Sequence, residues 1–268
     1  MINLQRNFIT FEFGEALNSQ DSKLQNSPTV RLVLLPGDHK KKKAYFILVF
    51  FSKGMIPPIY VDAIIWSSLY VLLSLGLTLT YLTTKVPNFA HGMFATAGAY
   101  VTLTVSEVWN ANIYHNLYLA FIIGGIIALA QYLLVLRPLM RRGTSIVGLM
   151  VASLAIDIIL FAMLNIYADY LKTAFKIKSR DFYLRRYDFQ IAGQDGLLIV
   201  APTLAAVIVT LLHLVLTRTK FGVAMRAAIE DPSLASVVGI NVNFVYAVSW
   251  FTAGGLAGLS GALIPLRL

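Results

Sequence analysis

The sequence predicts an all-α, polytopic membrane protein of about six spanning helices, and three observations carry that expectation. Charged residues make up 13% of the 268 residues while hydrophobic ones reach 57%, against roughly 25% charged in a soluble domain. Five apolar runs, 63–82, 117–136, 145–166, 197–216 and 244–266, match the stretch of about 20 residues that a helix needs to cross a bilayer. The short connections between several of them hold clustered arginines. Because lipid offers backbone groups no hydrogen bonds, runs of this length must close their bonds internally as helices.

Taken in order, residues 1–54 differ from the rest of the chain. They are polar and mixed, with a Lys40–Lys43 run and a short apolar stretch at 44–51 that is too brief to span. The basic run mimics a secretory signal, but the upstream stretch is too long and no small-residue cleavage site comes after it. Met55 is therefore read as opening the functional domain, 55–268. Residues 1–54 are read as an extension, either a misassigned start or a disordered or interfacial arm. After the first span, the segment 89–108 is rich in Gly, Ala and Thr, so it suits close packing behind neighbours more than lipid exposure.

Arginines fix the orientation. Arg137, Arg141 and Arg142 share one connection, and Arg218, Lys220 and Arg226 another, while 110–115 holds neither Lys nor Arg. The positive-inside rule places 137–144 and 217–243 in the cytoplasm. Parity then puts 167–196 outside, although it carries Lys172, Lys176, Lys178, Arg180, Arg185 and Arg186. Its acids Asp169, Asp181, Asp188 and Asp195 offset part of this charge but count little in the rule, and its aromatics (Tyr170, Phe175, Phe182, Tyr183, Tyr187, Phe189) suit an interfacial segment. Alternation over 187–191 before Gly-Gln-Asp-Gly at 193–196 predicts a small hairpin.

The connection 217–243 contains a short segment with both its ends marked. Asp231 is a suitable N-cap, Pro232 suits the first helical position and Gly239 can take the left-handed conformation that closes a helix. Only about two turns fit between, too few to stand alone, so a partner surface or the membrane domain must hold them. A plain surface loop would carry the same Pro and Gly.

Net charge is +9 and mean hydropathy +0.71. In such a chain the excess belongs to cytoplasmic loops and anionic headgroups, and no aromatic-studded basic groove for nucleic acid is present. Cysteine is absent, and His39, His91, His115 and His213 are scattered without metal-ligand spacing. No metal or cofactor is expected on this chain. Neither a P-loop nor a His-Glu-x-x-His is found, so energy for any pumping must come from another subunit or an ion gradient.

Three intramembrane groups are candidates for chemistry. Asn88-Phe89-Ala90-His91-Gly92 opens the small-residue segment. Asn88 and His91 either line a polar path or serve as helix cap and headgroup contact. Asp157 lies mid-span, where an acid costs about 2.5–3.5 kcal/mol. It is either a polar contact on a transport route or a neutral acid bonded to Asn165, Gln131 or a Ser/Thr neighbour. His213 and Gln131 are expected as interhelical hydrogen-bond partners. In the last span Gly254, Gly258 and Gly261 form a smooth face for helix packing. Gly258-Leu259-Ser260-Gly261 also resembles the nucleophile motif of rhomboid proteases, yet no His follows Ser260, and His213 precedes it.

Several pieces, in order, resemble the LivH-type permeases of branched-chain amino acid ABC importers. They are Leu75-Gly76-Leu77-Thr78-Leu79-Thr80, Asn88-Phe89-Ala90-His91-Gly92, Arg137-Pro138-Leu139, the stretch 217–240 and the small-residue helix 253–261. Within 217–240 the matching residues are Phe221-Gly222, Arg226-Ala227, Glu230-Asp231, Ala235 and Gly239-Ile240. The resemblance implies a multi-pass permease in a prokaryotic plasma membrane, paired with a second, LivM-like permease. It further implies two ABC ATPase subunits that bind ATP, and an extracellular substrate-binding protein. Residues 231–240 would be the coupling helix that docks in the ATPase, with Arg226, Glu230, Asp231, Pro232, Ala235, Gly239 and Ile240 as coupling residues. Relatives carry branched-chain amino acids, urea or short amides. Family members continue beyond the Gly-rich helix, so the resemblance implies a C-terminally truncated domain. Asp157 departs from the small polar residue, often Ser, commoner there. Two other classes stay open: an ion-coupled carrier using Asp157, and an intramembrane serine protease using Ser260.

Overall fold

The computed structural model describes residues 57–191 and 194–268, so the extension expected at 1–54 lies outside the described residues. The elements are α1 (Pro58–Thr84), α2 (His91–Leu103), α3 (Leu117–Gln131), α4 (Arg137–Arg141), α5 (Ile146–Phe175), β1 (Gln190–Ile191), β2 (Gln194–Asp195), α6 (Leu197–Arg218), α7 (Lys220–Glu230), α8 (Pro232–Val237) and α9 (Val242–Leu263). Among the described residues five stretches are long and apolar enough to cross a membrane: Pro58–Thr84, Tyr114–Arg141, Ile146–Phe175, Leu197–Arg218 and Val242–Leu266.

The last of these is the axis of the bundle. It is 72% buried within the chain, whereas α5 and α6 are each 11% buried and form the rim. Small residues explain this placement, because lipid-embedded helices associate through close van der Waals contact and not through the hydrophobic effect. Gly254 abuts the Gly124 carbonyl of α3, Gly258 the Ala120 carbonyl and Gly261 the Ala95 carbonyl of α2. A methyl at any of these three would run into the neighbouring backbone. Two hydroxyls tie the same helix to its neighbours: Ser260 donates to the Leu69 carbonyl at 2.8 Å and Thr102 to the Ala262 carbonyl at 2.9 Å.

The sixth apolar segment is built differently. α1 ends at Lys85, whose left-handed φ of 56° turns the chain back. The non-helical residues from there to Ala90 re-enter the bundle, with Val86, Asn88 and Ala90 buried. His91, the first residue of α2, bonds to the Leu73 carbonyl, which lies about 16 Å before the end of α1 at 1.5 Å per residue. α2 therefore starts near half-depth. Its 13 α-helical residues cover only about 20 Å, short of a 30 Å hydrocarbon core. A π-helical turn, Thr104–Val108, extends it.

A second π turn, Tyr132–Leu136, joins α3 to α4. Pro138 lies just beyond; its ring would collide with the carbonyl four residues back in a regular helix, and the widened turn relieves that contact. The helix thus runs through Arg137-Pro138-Leu139 to Arg141 instead of stopping there.

At the opposite end, β1 and β2 pair antiparallel, Gln190 with Asp195 and Ile191 with Gln194. The expected hairpin is present, with Gln194 and Asp195 in its second strand and not in the turn. α5 also runs to Phe175, beyond its expected end at 166. Ion pairs bind this end together. Arg267 joins Asp195 at 2.6 Å and also Asp62, Arg185 joins Asp195 at 2.9 Å, and Arg186 joins Glu107. Asp188 accepts from Tyr114 and from the first N–H of α6.

A candidate coupling arm and half-depth polar site

The connection 217–243 is a chain of capped helices. Thr219 accepts from the Gly222 N–H at 3.2 Å and starts α7. Asp231 accepts from Ser233 and Leu234 at 2.8 and 3.0 Å and starts α8, with Pro232 at its first position. Gly239, at φ 87°, closes α8: its N–H reaches the Ser236 carbonyl at 3.1 Å, and the Ile240 N–H reaches the Ala235 carbonyl at 3.0 Å. That is the paired bond pattern of a Schellman stop. Asn241 then caps α9 through Phe244 at 3.1 Å. A six-residue helix has no stability of its own, and each side-chain cap contributes about 1 kcal/mol.

Packing holds this arm against the axis. Ala235 is buried under α8, and Met225 and Ala228 are buried under α7. Tyr246 of α9 donates to the Ala228 carbonyl at 3.1 Å. Arg226 is exposed and donates to the Leu216 carbonyl at the end of α6, where a cation suits the helix dipole. Glu230 is exposed and forms no ion pair among the described residues. The opposite face of α8 presents Leu234, Val237 and Val238, all exposed. Sequence reasoning missed these three; the signal was apolar residues at positions the caps already force outward.

An aromatic column rises from the arm. Tyr246 meets Tyr132 edge-on at 6.4 Å, and Tyr132 stacks on Trp250 at 5.8 Å. Next to Tyr132, Gln131 of α3 donates to Asn88 at 2.8 Å, a bond across 43 positions to the non-helical stretch before α2 and not to another helix. His91 Nε2 lies 3.0 Å from the Leu73 carbonyl; a carbonyl only accepts, so that nitrogen carries the proton. Asn88 Nδ2, Gln131 Oε1, His91 Nδ1 and Trp250 Nε1 are buried without partners among the described residues. The Phe89 N–H donates to Ser153 of α5 at 3.3 Å, and Gly92 faces open space.

Asp157 stands one turn beyond Ser153 on α5. Pairing with Asn165 or Gln131 does not occur: Asn165 donates to the Phe161 carbonyl and Gln131 is taken by Asn88. Asp157 has no hydrogen-bond or ion-pair partner among the described residues. On its face Leu149 and Ser153 are buried below and Ala168 and Leu171 above, while Ile156, Asp157, Leu160 and Leu164 are half-buried. The inner face of α5 is thus open at mid-length. His213 is exposed on α6 and makes no interhelical side-chain bond among the described residues, a second correction with a simple cause: it points away from the bundle. Ser260 donates its hydroxyl proton to Leu69 and has no His beside it among its described contacts.

A helical axis packed through glycine, five apolar spans and a capped arm together describe a polytopic α-helical membrane protein. The chain belongs to the family described as branched-chain amino acid transport system / permease component, whose model matches residues 59–268. It is 43% identical over 203 residues to the Probable branched-chain amino acid transport permease protein LivH of Methanocaldococcus jannaschii, a match covering 76% of this chain and 64% of that one. It is 23% identical over 220 residues to the High-affinity branched-chain amino acid transport system permease protein BraD of Pseudomonas aeruginosa, covering 77% and 70%. The chain thus spans a little under two thirds of the length of the LivH relative. No solved structure matches it.

Proposed function

We propose that this chain is the permease subunit of an ATP-driven importer of branched-chain or related small amino acids or amides in a prokaryotic plasma membrane. In this reading 217–243 faces the cytoplasm, and α8 is the coupling helix that docks in an ABC ATPase. A second, LivM-like permease and an extracellular substrate-binding protein complete the assembly, and ATP stays on the ATPase subunits. The observation that carries the reading is α8 itself. It is capped at both ends, anchored inward by Ala235 and apolar outward at Leu234, Val237 and Val238. Arg226, Glu230, Asp231, Pro232, Gly239 and Ile240 shape and flank that prong. Movement of the arm reaches half-depth through Tyr246, Tyr132 and Gln131 to Asn88 and His91, and differential affinity of the ATPase for nucleotide shifts the bundle between its two openings.

Asp157, one turn beyond the Ser153 that accepts from Phe89, would supply an acceptor for the ammonium group of an amino acid on the path. The double substitution Val237→Asp and Val238→Asp tests the docking step. Expected is loss of ATPase co-purification and of ATP-dependent uptake, with membrane insertion unchanged; retained ATPase and uptake would refute the role of α8. The unpaired Asp157 also supports a second reading, an ion-coupled carrier. Uptake that persists in proteoliposomes without ATPase, follows a proton or sodium gradient and fails in Asp157→Asn would favour that alternative.

A further inference from the structure

The end of the chain that bears the 217–243 arm also holds an open depression of about 310 Å³ along one side of the 132–142 helical stretch, lined by Leu133, Arg137, Pro138, Arg141 and Arg142. Its chemistry is one-sided. Three arginines line it and no Asp or Glu does. Among the described residues none of the three forms an ion pair, although Arg180, Arg185, Arg186 and Arg267 all do. Arg137 is held in place by its Nε–H, which donates to Asn243 Oδ1 at 3.2 Å, leaving its two terminal nitrogens free. The fixed guanidinium sits at the boundary of an apolar span, Tyr114–Arg141. Leu133 of that lining and its neighbour Leu134 are exposed.

We infer that this depression binds the headgroup of an anionic phospholipid. The phosphate engages Arg137, Arg141 and Arg142, and the acyl chains lie along Leu133 and Leu134. Guanidinium forks match phosphate oxygens in pairs, and basic pockets at the cytoplasmic ends of membrane helices suit anionic headgroups. The apolar floor decides between ligand classes. A free phosphate or an acidic protein loop would use the arginines but gain nothing from two leucines facing the hydrocarbon.

The test is native mass spectrometry of the full chain released from nanodiscs of phosphatidylcholine doped with phosphatidylglycerol. The wild type is expected to retain phosphatidylglycerol selectively. The triple variant Arg137→Gln, Arg141→Gln, Arg142→Gln should lose that affinity roughly a hundredfold, since each arginine near an anionic surface is worth roughly a factor of five. Arg141→Gln alone, an exposed change that leaves folding intact, should lose about fivefold. The control Arg218→Gln with Lys220→Gln, on the same end but outside the depression, should lose nothing. Equal retention of phosphatidylcholine, displacement of the lipid by millimolar inorganic phosphate, or an equal loss in the control would each overturn the assignment. So would a triple variant that keeps its lipid but no longer retains an ATPase, a result that would leave the proposed transport role standing.

Discussion

The two ends of this bundle are held together by opposite means. At the hairpin end Arg180, Arg185, Arg186 and Arg267 are all ion-paired. At the arm end Arg137, Arg141, Arg142, Arg218 and Arg226 form no ion pair among the described residues, and side-chain and glycine caps fix the backbone. Ion pairs consume charge, whereas caps consume only backbone N–H and C=O groups. The capped end therefore leaves its arginines without carboxylate partners and its apolar side chains Leu234, Val237 and Val238 exposed, whereas four arginines of the other end are matched by acids. The basic loop 167–196, which the orientation rule resists, belongs to the paired end. Three of its cations are matched by Asp169, Asp195 and Glu107.

The sharpest way to break this contrast is at Asp195, which accepts from both Arg185 and Arg267. The side chains of Arg267 and Asp195 are only 10% and 9% exposed, so removing the acid leaves a buried guanidinium short of a partner. Breaking such a pair costs about 3–5 kcal/mol. Asp195→Ala should show that loss in detergent unfolding, while Arg141→Ala at the other end should stay within about 0.5 kcal/mol. Equal effects would mean that the two ends are not built differently.

What the sequence made legible follows the same division. The caps at Asp231, Pro232 and Gly239 are local chemistry, since each acts on backbone within three residues. The long spans are likewise local, because hydropathy over about 20 residues suffices to mark them. The small-residue face of α9 is readable as a face, but not the identity of its neighbours. Contacts distant in sequence were out of reach: Gln131 with Asn88 across 43 positions and Arg267 with Asp62 across 205. The half-depth start of α2 was hidden too, because it depends on a left-handed Lys85 that no residue preference announces. Asp157 was visible as costly, yet its lack of a partner emerges only when Asn165 and Gln131 are seen to bond elsewhere.

A middle-sized effect should appear at the arm. Gly239→Pro removes an N–H bonded to Ser236 and demands a negative φ where the chain needs 87°. The strain and lost bond together cost about 1–3 kcal/mol. Because α8 is a six-residue appendage, the damage should stay local. Hydrogen exchange should accelerate across 231–241 with the unfolding midpoint of the bundle nearly unchanged. A fall in global stability as large as that of Asp195→Ala would show that the arm is part of the structural core.

The smallest effect separates charge pairing from burial within the hairpin end. Arg180 and Asp169 lie 3.0 Å apart, as close as the Arg185–Asp195 pair, but their side chains are 61% and 58% exposed. Water and salt screen such a pair, and ordering two long side chains offsets most of what remains, so Arg180→Ala should cost under about 1 kcal/mol. Measured beside Asp195→Ala at low and high salt, its effect should shrink towards zero while the buried pair changes little. If both variants destabilise equally, the pairs act as one cooperative network. The closure of this end would then be a property of the whole constellation and not of the enclosed carboxylate at its centre.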